Sequence, residues 1–340
     1  MATTGRAVRL ADVARAAGVG TSIASRVLNG DPTVSIRLET RERILAAARE
    51  LRYRPNAFAR GLKLARTMTL GIIANVAYYH EMAEILMTVE RVAADAGYVM
   101  LIADTADFVG RGEAYHRLLL ERRVDGLLIA SILVTDDFVK ELKEEGLPFV
   151  LLNRRLPGAG LSASVDDARG VQVAVEHLAA LGHARIGYVA GQTSAEPVRR
   201  RLAGFRAGMR GAGLTVERAW VKETPPDDES VFRVTRELLG ERPRPTAIVV
   251  WSPTAAVPAL AAARQSGLRL PEELSVVSYN DSPIAVYLDP PLTTVRMPLG
   301  EMAERSVDCL LRTIAGERAS SVVVHTPPAL VERGSTAPPS

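Results

Sequence analysis

Seven apolar segments of strand length alternate with helical stretches between Thr69 and Tyr279, and this alternation constrains the fold more than any other feature of the sequence. Apolar runs that are joined by helical crossovers are typical of parallel β-sheets covered by helices on both faces. The chain is therefore predicted to be an α/β protein over most of its length. The predicted strands are residues 69–74, 98–103, 124–130, 149–153, 185–191, 246–251 and 274–279.

The number of these units predicts two lobes. Seven βα units exceed what one hydrophobic core comfortably holds, because single cores stop growing beyond roughly 250 residues. A two-lobed domain is expected over residues 69–333, and the tail 334–340, GSTAPPS, is expected to be disordered because its composition cannot form a packed core. The predicted first lobe comprises residues 69–162 and 291–326, and the second comprises residues 163–290.

Three short helical patterns precede the α/β region. Leu10 to Ala17 repeats apolar residues at helical spacing, and Gly18-Val19-Gly20 interrupts the pattern. A second helix over residues 21–29 leaves a small polar face, and a third is expected around residues 40–51. Two helices joined by a short turn containing Gly are typical of a helix-turn-helix, whose second helix enters the DNA major groove. The alternative is an ordinary helical hairpin.

Basic charge is concentrated in the same N-terminal part. Residues 1–66 carry 13 Lys and Arg against 5 Asp and Glu, a net charge of +8, whereas the whole chain is only +3. Such asymmetry predicts a polyanionic partner, here double-stranded DNA, although a solvated basic arm would have the same composition. Arg26 is the side chain expected to contact a base, since its fork matches the guanine edge.

Other features argue against several classes of protein. The sequence has no run of 18 apolar residues and no apolar N-terminal segment, so neither a membrane partner nor a signal peptide is expected and a cytoplasmic location is predicted. Cys309 is expected to be a buried thiol. The five histidines show no metal-binding spacing and no catalytic motif is present, so no enzyme activity, metal or cofactor is expected. His177 and His183 are expected to cap a helix C-terminus.

Several motifs, in order and spacing, make the chain similar to the LacI/GalR (lactose-repressor) family of bacterial transcription regulators. They cover nearly the whole chain and are DVARAAGVGTSIASRVLNG, TRERILAAARELRYRPNAFARGL, RRVDGLLI, GHARIGYVAG, RRLAGF, GLRLPEELSVVSYND and PPLTTVRMP. The resemblance implies a three-helix headpiece over residues 1–54, a hinge helix and linker over 55–68, and then a two-lobed domain like the periplasmic binding proteins, with parallel sheets.

The resemblance also implies which residues bind DNA. Leu62 would be the apolar wedge that the hinge inserts at the central base step, unless it instead docks on its own protein. Gly20 departs from the usual Ser, Ile23 from the usual Thr, and residues 35–43 are two residues longer than the common form. The DNA-binding residues so assigned are Leu10, Thr21, Ser22, Ile23, Ser25, Arg26, Asn29, Asn56, Ala59, Leu62 and Lys63.

An effector site between the lobes is the third implication. Arg201 matches the arginine with which relatives hold ligand, whereas Asn153 and Asn280 stand where many relatives have Asp, so an ordinary sugar ligand cannot be assumed. For every position except Arg201, a structural polar group at a strand end is an equal alternative. The effector-binding residues so assigned are Glu81, Met82, Ser131, Asn153, Arg201, Trp251 and Asn280.

The function expected from these features is that of a homodimeric repressor. Its two headpieces would occupy the half-sites of an operator, and a small molecule between the lobes would control DNA affinity. One rival is a DNA binder that responds to no effector or to a protein coregulator, because the cleft residues are atypical. A second rival is a solute-binding protein, which shares the two-lobed architecture but lacks a basic headpiece.

Overall fold

The computed structural model describes residues 8–29, 31, 33–53, 66–75, 82–104, 117, 120–121, 123–130, 135–158 and 160–340. The chain divides into two compact units, Met1–Thr67 and Met68–Ser340. The first unit contains the predicted headpiece and the second contains the predicted two-lobed domain. The hinge residues Asn56, Ala59, Leu62 and Lys63 lie outside the described residues.

The first unit is a bundle of three helices, as the sequence predicts. They are α1 (Leu10–Ala16), α2 (Thr21–Leu28) and α3 (Leu38–Glu50). Gly18 turns the chain between α1 and α2 with a φ of +64°, a conformation in which a side chain would be strained. The apolar faces meet in one core of small and branched residues, which are Val13, Ala14, Ala17, Ala24, Val27, Val34, Ile44, Ala47 and Ala48.

Lobe 1 contains the first of two sheets. Its strands are β1 (Thr69–Ala74), β2 (Val99–Asp104), β3 (Gly126–Ile129), β4 (Phe149–Leu152), β5 (Leu161–Ser164) and β11 (Val322–Val323). They pair in parallel in the order β11-β5-β4-β3-β1-β2. The helices of this lobe in the described chain are α4 (Met82–Asp95), α5 (Asp136–Glu144) and α10 (Leu299–Ile314).

Lobe 2 contains the second sheet. Its strands are β6 (Ile186–Ala190), β7 (Val221–Glu223), β8 (Ala247–Val250), β9 (Ser275–Tyr279), β10 (Thr293–Arg296) and β12 (Ala329–Val331). Their order is β12-β10-β9-β8-β6-β7, and β12 alone among them runs antiparallel to its neighbour. The helices are α6 (Asp167–Ala180), α7 (Glu196–Gly211), α8 (Asp228–Gly240) and α9 (Pro253–Gln265).

The predicted lobe boundaries were wrong by several residues. The chain was expected to return to lobe 1 at residue 291, but β10 lies in lobe 2, where Thr293 to Val295 pair with Val277 to Tyr279. The chain re-enters lobe 1 only with α10. Likewise β5 continues the lobe 1 sheet to Ser164, so lobe 2 begins at α6 rather than at residue 163.

The C-terminal tail is ordered, which corrects the prediction of disorder. Ser335 is fully buried, and its Oγ accepts from the Thr293 amide at 2.8 Å and donates to the Val276 carbonyl at 2.6 Å. His177 and His183 do not cap helices with their rings. Their imidazoles instead bond to Thr336 Oγ1 at 3.0 Å and to the Ala337 carbonyl at 2.9 Å, so the two rings hold the tail on lobe 2.

Close packing of α6 on α7 shapes the part of lobe 2 that faces lobe 1. Gly204, in the RRLAGF motif, sits so near α6 that a Cβ there would lie 2.2 Å from the Ala168 carbonyl oxygen. A side chain at this position would therefore force the helices apart. The approach brings the arginines at the start of α7 against the first turn of α6. Elsewhere, Cys309 on α10 is a buried free thiol, as predicted.

Candidate functional site

The exposed face of α2 in the headpiece carries most of the described side chains that the sequence assigns to DNA, whereas Leu10 lies on α1 and packs, partly buried, against the headpiece core. Ala24 and Val27 face the core, whereas Thr21, Ser22 and Ile23 are exposed and Ser25 is half-buried. Asn29, the C-cap of α2, is exposed and donates to the Ser25 carbonyl at 2.8 Å. Gly20 caps the helix N-terminus without a side-chain hydrogen bond. The predicted recognition residues thus share one solvent-facing surface.

Arg26 on this surface is held by two residues that the sequence analysis did not single out. Its Nε donates to Asp31 Oδ2 at 2.9 Å, and its Nη2 donates to Thr33 Oγ1 at 2.7 Å. The hydrogen bond from Arg26, with further ones from Thr33, holds the pKa of Asp31 well below its ordinary value. The one sequence signal for this contact is that Asp31, an acidic residue, comes five positions after Arg26 and just beyond the end of α2.

A cleft between the lobes is one of the cavities of the second unit. The cleft is open to solvent, and its empty space together with the mouth is about 940 Å³. It lies beyond the carboxyl ends of strands from both sheets, where α/β proteins bind ligands. The lining residues at strand ends are Asn75, Ala130 and Asn153 from lobe 1 and Gly191, Thr224, Trp251 and Asn280 from lobe 2.

Five of the seven residues assigned to an effector come together around this cleft. Met82, Asn153, Arg201, Trp251 and Asn280 all line it. The remaining two, Glu81 and Ser131, lie outside the described residues. Whether these side chains contact a ligand remains a prediction, but their convergence from two lobes is an observation about the fold.

The two asparagines have a backbone role as well as a place in the cleft. Asn153 and Asn280 adopt φ values of +52° and +65°, in the left-handed region that Asn tolerates better than other residues with a side chain. Asn153 ends its strand in lobe 1, and its Oδ1 accepts from Arg200 of lobe 2 at 3.2 Å. Both asparagines therefore act as structural polar groups at strand ends, and this role is compatible with ligand contact.

Arg201 reaches the cleft from α7 and is mostly buried, with 13% of its side chain exposed. Its Nε donates to Asp167 Oδ1 at 2.7 Å, and its guanidinium lies 4.1 Å from the centroid of the Tyr279 ring. Burial alone would lower the pKa of Arg201, but Tyr279 and the negative charge of Asp167 outweigh burial and raise it. The side chain is consequently a fixed, permanently charged donor on the lobe 2 wall.

Asp167 is the central residue of a buried charge cluster that the sequence analysis missed. It is fully buried at the start of α6, accepts from Tyr279 Oη at 2.6 Å, and forms ion pairs with both Arg200 and Arg201. Burial alone would raise the pKa of Asp167, but the charges of Arg201 and Arg200 lower it. Glu196, which pairs with Arg200, completes a cluster of two cations and two anions.

Two features were looked for in the part of the chain that the structure describes, a metal-binding group and a membrane-spanning helix. Its His, Cys, Asp and Glu side chains form no group of three that could hold a metal ion. Within the same residues, no helix combines the length and apolar composition that a membrane span requires.

Two family models match this chain. The model for bacterial regulatory proteins of the lacI family matches residues 9–56, and that for the periplasmic binding protein-like domain matches residues 175–336. Similar proteins include the HTH-type transcriptional repressor PurR of Photobacterium profundum, which is 32% identical over 95% of this chain and 97% of its own length. PurR of Klebsiella pneumoniae (strain 342) is also 32% identical, over 96% of each chain.

Solved structures show the same relationship. A LacI family transcriptional regulator from Mycobacterium smegmatis is 33% identical, covers 80% of this chain and 100% of its own, and has a TM-score of 0.74. The Lac repressor dimer bound to operator and the anti-inducer ONPF is 29% identical, covers 98% of this chain and 100% of its own, and has a TM-score of 0.83. The chain therefore belongs to the LacI family of bacterial regulatory proteins.

Proposed function

We propose that this protein is a transcriptional repressor that binds operator DNA through its headpiece, with an affinity set by a small molecule in the cleft between its lobes. The observation that carries the proposal is the pairing, in one chain, of a basic helix-turn-helix with a cleft whose lining comes from both lobes. No catalytic role is assigned to any residue. Action on DNA implies a cytoplasmic protein, as the sequence predicts.

The DNA half of the proposal rests on the α2 surface and its charge. Small polar side chains and one arginine on an exposed helix are suited to base edges in the major groove, and the surrounding +8 charge suits phosphates. A similar Lac repressor structure contains operator DNA, and the similar PurR proteins are repressors. The hinge residues are assigned by resemblance alone, with Leu62 as the wedge.

The ligand half rests on the two walls of the cleft. A molecule that contacts Asn153 on lobe 1 and Arg201 or Asn280 on lobe 2 would bind one arrangement of the lobes more tightly than another. Only such a difference can change DNA affinity. Solved relatives include a regulator in complex with cellobiose and a Lac repressor bound to ONPG, which supports a small-molecule effector here.

A homodimer is part of the proposal, because two headpieces are needed to occupy two half-sites. The similar Lac repressor structure is a dimer on its operator.

The ligand half is tested by replacing Arg201 with alanine. A ligand is first found by its effect on the melting temperature, in a screen of sugars, sugar acids, phosphosugars and nucleobases. Arg201→Ala is expected to weaken its binding by about tenfold to a hundredfold, since a hydrogen bond to a charged group contributes about 1.5–3 kcal/mol. Calorimetric titration of both proteins measures the difference.

The control for this variant is Arg206→Ala, which removes an exposed arginine from the same helix. It is expected to bind the ligand as the wild type does. Arg201→Ala also takes one partner from the buried Asp167, so its melting temperature is expected to fall. Equal dissociation constants for wild type and Arg201→Ala, together with that lower stability, would limit Arg201 to a structural role.

A further inference from the structure

The turn that follows α2 folds back on the recognition face of the headpiece. The Asp31 amide donates to the Arg26 carbonyl at 3.0 Å, which closes the turn against the end of the helix. In this position the Asp31 carboxylate and the Thr33 hydroxyl both lie along the edge of the Arg26 guanidinium that Nε and Nη2 form. Asp31 and Thr33 therefore both bind the same edge of the Arg26 side chain.

Asp31 is itself held in place by hydrogen bonds from Thr33. Its Oδ1 accepts from the Thr33 amide at 2.9 Å and from Thr33 Oγ1 at 2.7 Å, while its Oδ2 accepts from Arg26 Nε. Both carboxylate oxygens are therefore engaged, each with a different partner. A side chain with many rotamers, such as arginine, is fixed by this arrangement before any DNA arrives.

The edge of the guanidinium that is engaged decides which edge remains for DNA. An arginine has five N–H donors, and the contacts to Asp31 and Thr33 occupy Nε and one hydrogen of Nη2. The end-on edge, formed by Nη1 and the other hydrogen of Nη2, is left for a ligand. Two parallel donors of this kind match the O6 and N7 acceptors of guanine. The Arg26 side chain is 41% exposed, so part of it remains open to solvent.

We propose that Asp31 is a specificity-determining residue of the headpiece that acts through Arg26, by holding its end-on edge toward a base and restraining it from the phosphates. The proposal rests on the DNA-binding function proposed above. Asp31 positions Arg26 and has no need to touch the base itself. Its negative charge also offsets the arginine charge, which lowers attraction for DNA of any sequence.

Loss of Asp31 should therefore have opposite effects on the two kinds of DNA. Without the carboxylate, Arg26 is mobile and can form ion pairs with neighbouring phosphates, so affinity for random duplexes rises. At the same time the arginine must be ordered at each encounter with its base, so discrimination at that base falls. A side chain with a merely structural role would change both affinities together and leave the base preference as it was.

The test begins with selection of bound sequences from a random duplex library by the full-length wild type. The base preference at each selected position is then measured for Asp31→Ala, Asp31→Asn and Arg26→Ala. Glu50→Gln is the matched control, because it removes one exposed negative charge at the end of α3, away from the Arg26 contacts. Thermal melting verifies that each variant folds, and Asp31→Asn keeps the shape of the side chain.

Asp31→Ala is expected to reduce discrimination by about threefold to tenfold at one position, the same position that Arg26→Ala relaxes. Its affinity for random duplexes is expected to rise by about twofold to fivefold. Asp31→Asn, which keeps an acceptor but not the charge, should lie between alanine and the wild type. Glu50→Gln should leave every base preference unchanged.

Two results would overturn the proposal. If the wild type selects a sequence and Asp31→Ala keeps its preference at the Arg26 position, Asp31 has no part in specificity while the DNA-binding function stands. If the wild type selects no sequence at all, the proposed function fails and this inference fails with it.

Discussion

A chain that lacks residues 1–67 is expected to fold and to lose its affinity for DNA. The break between the two units falls at this point, and each unit has a core of its own, so the remaining part should keep its structure. The +8 segment that releases counterions from DNA is removed. Affinity of the full chain should fall about a thousandfold between 50 and 200 mM salt if about six phosphates are contacted.

Fluorescence anisotropy with labelled duplexes at several salt concentrations measures both effects. Far-ultraviolet circular dichroism of the truncated chain, compared with the full chain, controls for folding. DNA binding that survived the truncation, or an affinity of the full chain that did not change with salt, would contradict the assignment of the headpiece.

Replacement of Asp167 by asparagine is expected to destabilise the protein by about 3–5 kcal/mol, the usual cost of leaving a buried charge unpaired. Asp167 is fully buried and is paired with Arg200 and Arg201, which are themselves mostly buried. Asparagine retains the shape of the side chain but not its charge, so two arginines would face a neutral group. Urea denaturation at neutral pH measures the free energy of unfolding.

The neighbouring Asp166 supplies a matched control. It is an exposed N-cap of α6 whose carboxylate accepts from the Arg169 amide at 3.0 Å, and Asn is an equally good cap, so Asp166→Asn should change stability little. Because the pKa of Asp167 is lowered in the folded protein, its stabilisation is present at neutral pH and is lost as the pH falls below the ordinary carboxyl range. If the free energies of unfolding of Asp167→Asn and Asp166→Asn differed by less than about 1 kcal/mol, the account would be refuted. A difference that small is less than a tenfold change in the folding equilibrium, which corresponds to roughly 1.4 kcal/mol.

Seven strands could be predicted from the sequence, including the edge strand β2, whereas β5, β7, β10, β11 and β12 could not. Buried strands such as β8 and β9 are continuous apolar runs, because both faces of the sheet are covered. The strand β10 is TTVR between prolines, and β12 is only three residues long, so neither has an apolar pattern of its own. Their place in the sheet depends on pairing with β9 and with each other.

The order of the tail also depends on contacts that are distant in sequence. Ser335 bonds to Val276 and Thr293, and Ala337 bonds to Ser275 and His183. A composition that cannot form a core can still be ordered when its polar groups are satisfied by a surface that is already folded. Local composition says nothing about that surface.

The same distinction applies to the sites. Asn153 and Asn280 follow apolar strands directly, so the sequence predicts that they meet at the carboxyl edges of the sheets, and they do. Asp167 is the first residue of α6, and it reaches the arginines of α7 only because Gly204 lets the two helices approach closely. Asp31 follows a helix, and its contact with Arg26 depends on how the next turn folds. Partners across a helix pair or a turn leave no periodic signal.

Control of DNA affinity by a ligand is the central claim, and one measurement tests it directly. The dissociation constant of the full-length protein for its selected operator is measured with and without the ligand that raises its melting temperature, at one salt concentration. The account predicts a change of about fivefold to 150-fold, the usual range of coupling between two sites. An operator affinity that is the same with saturating ligand as without it would contradict the account.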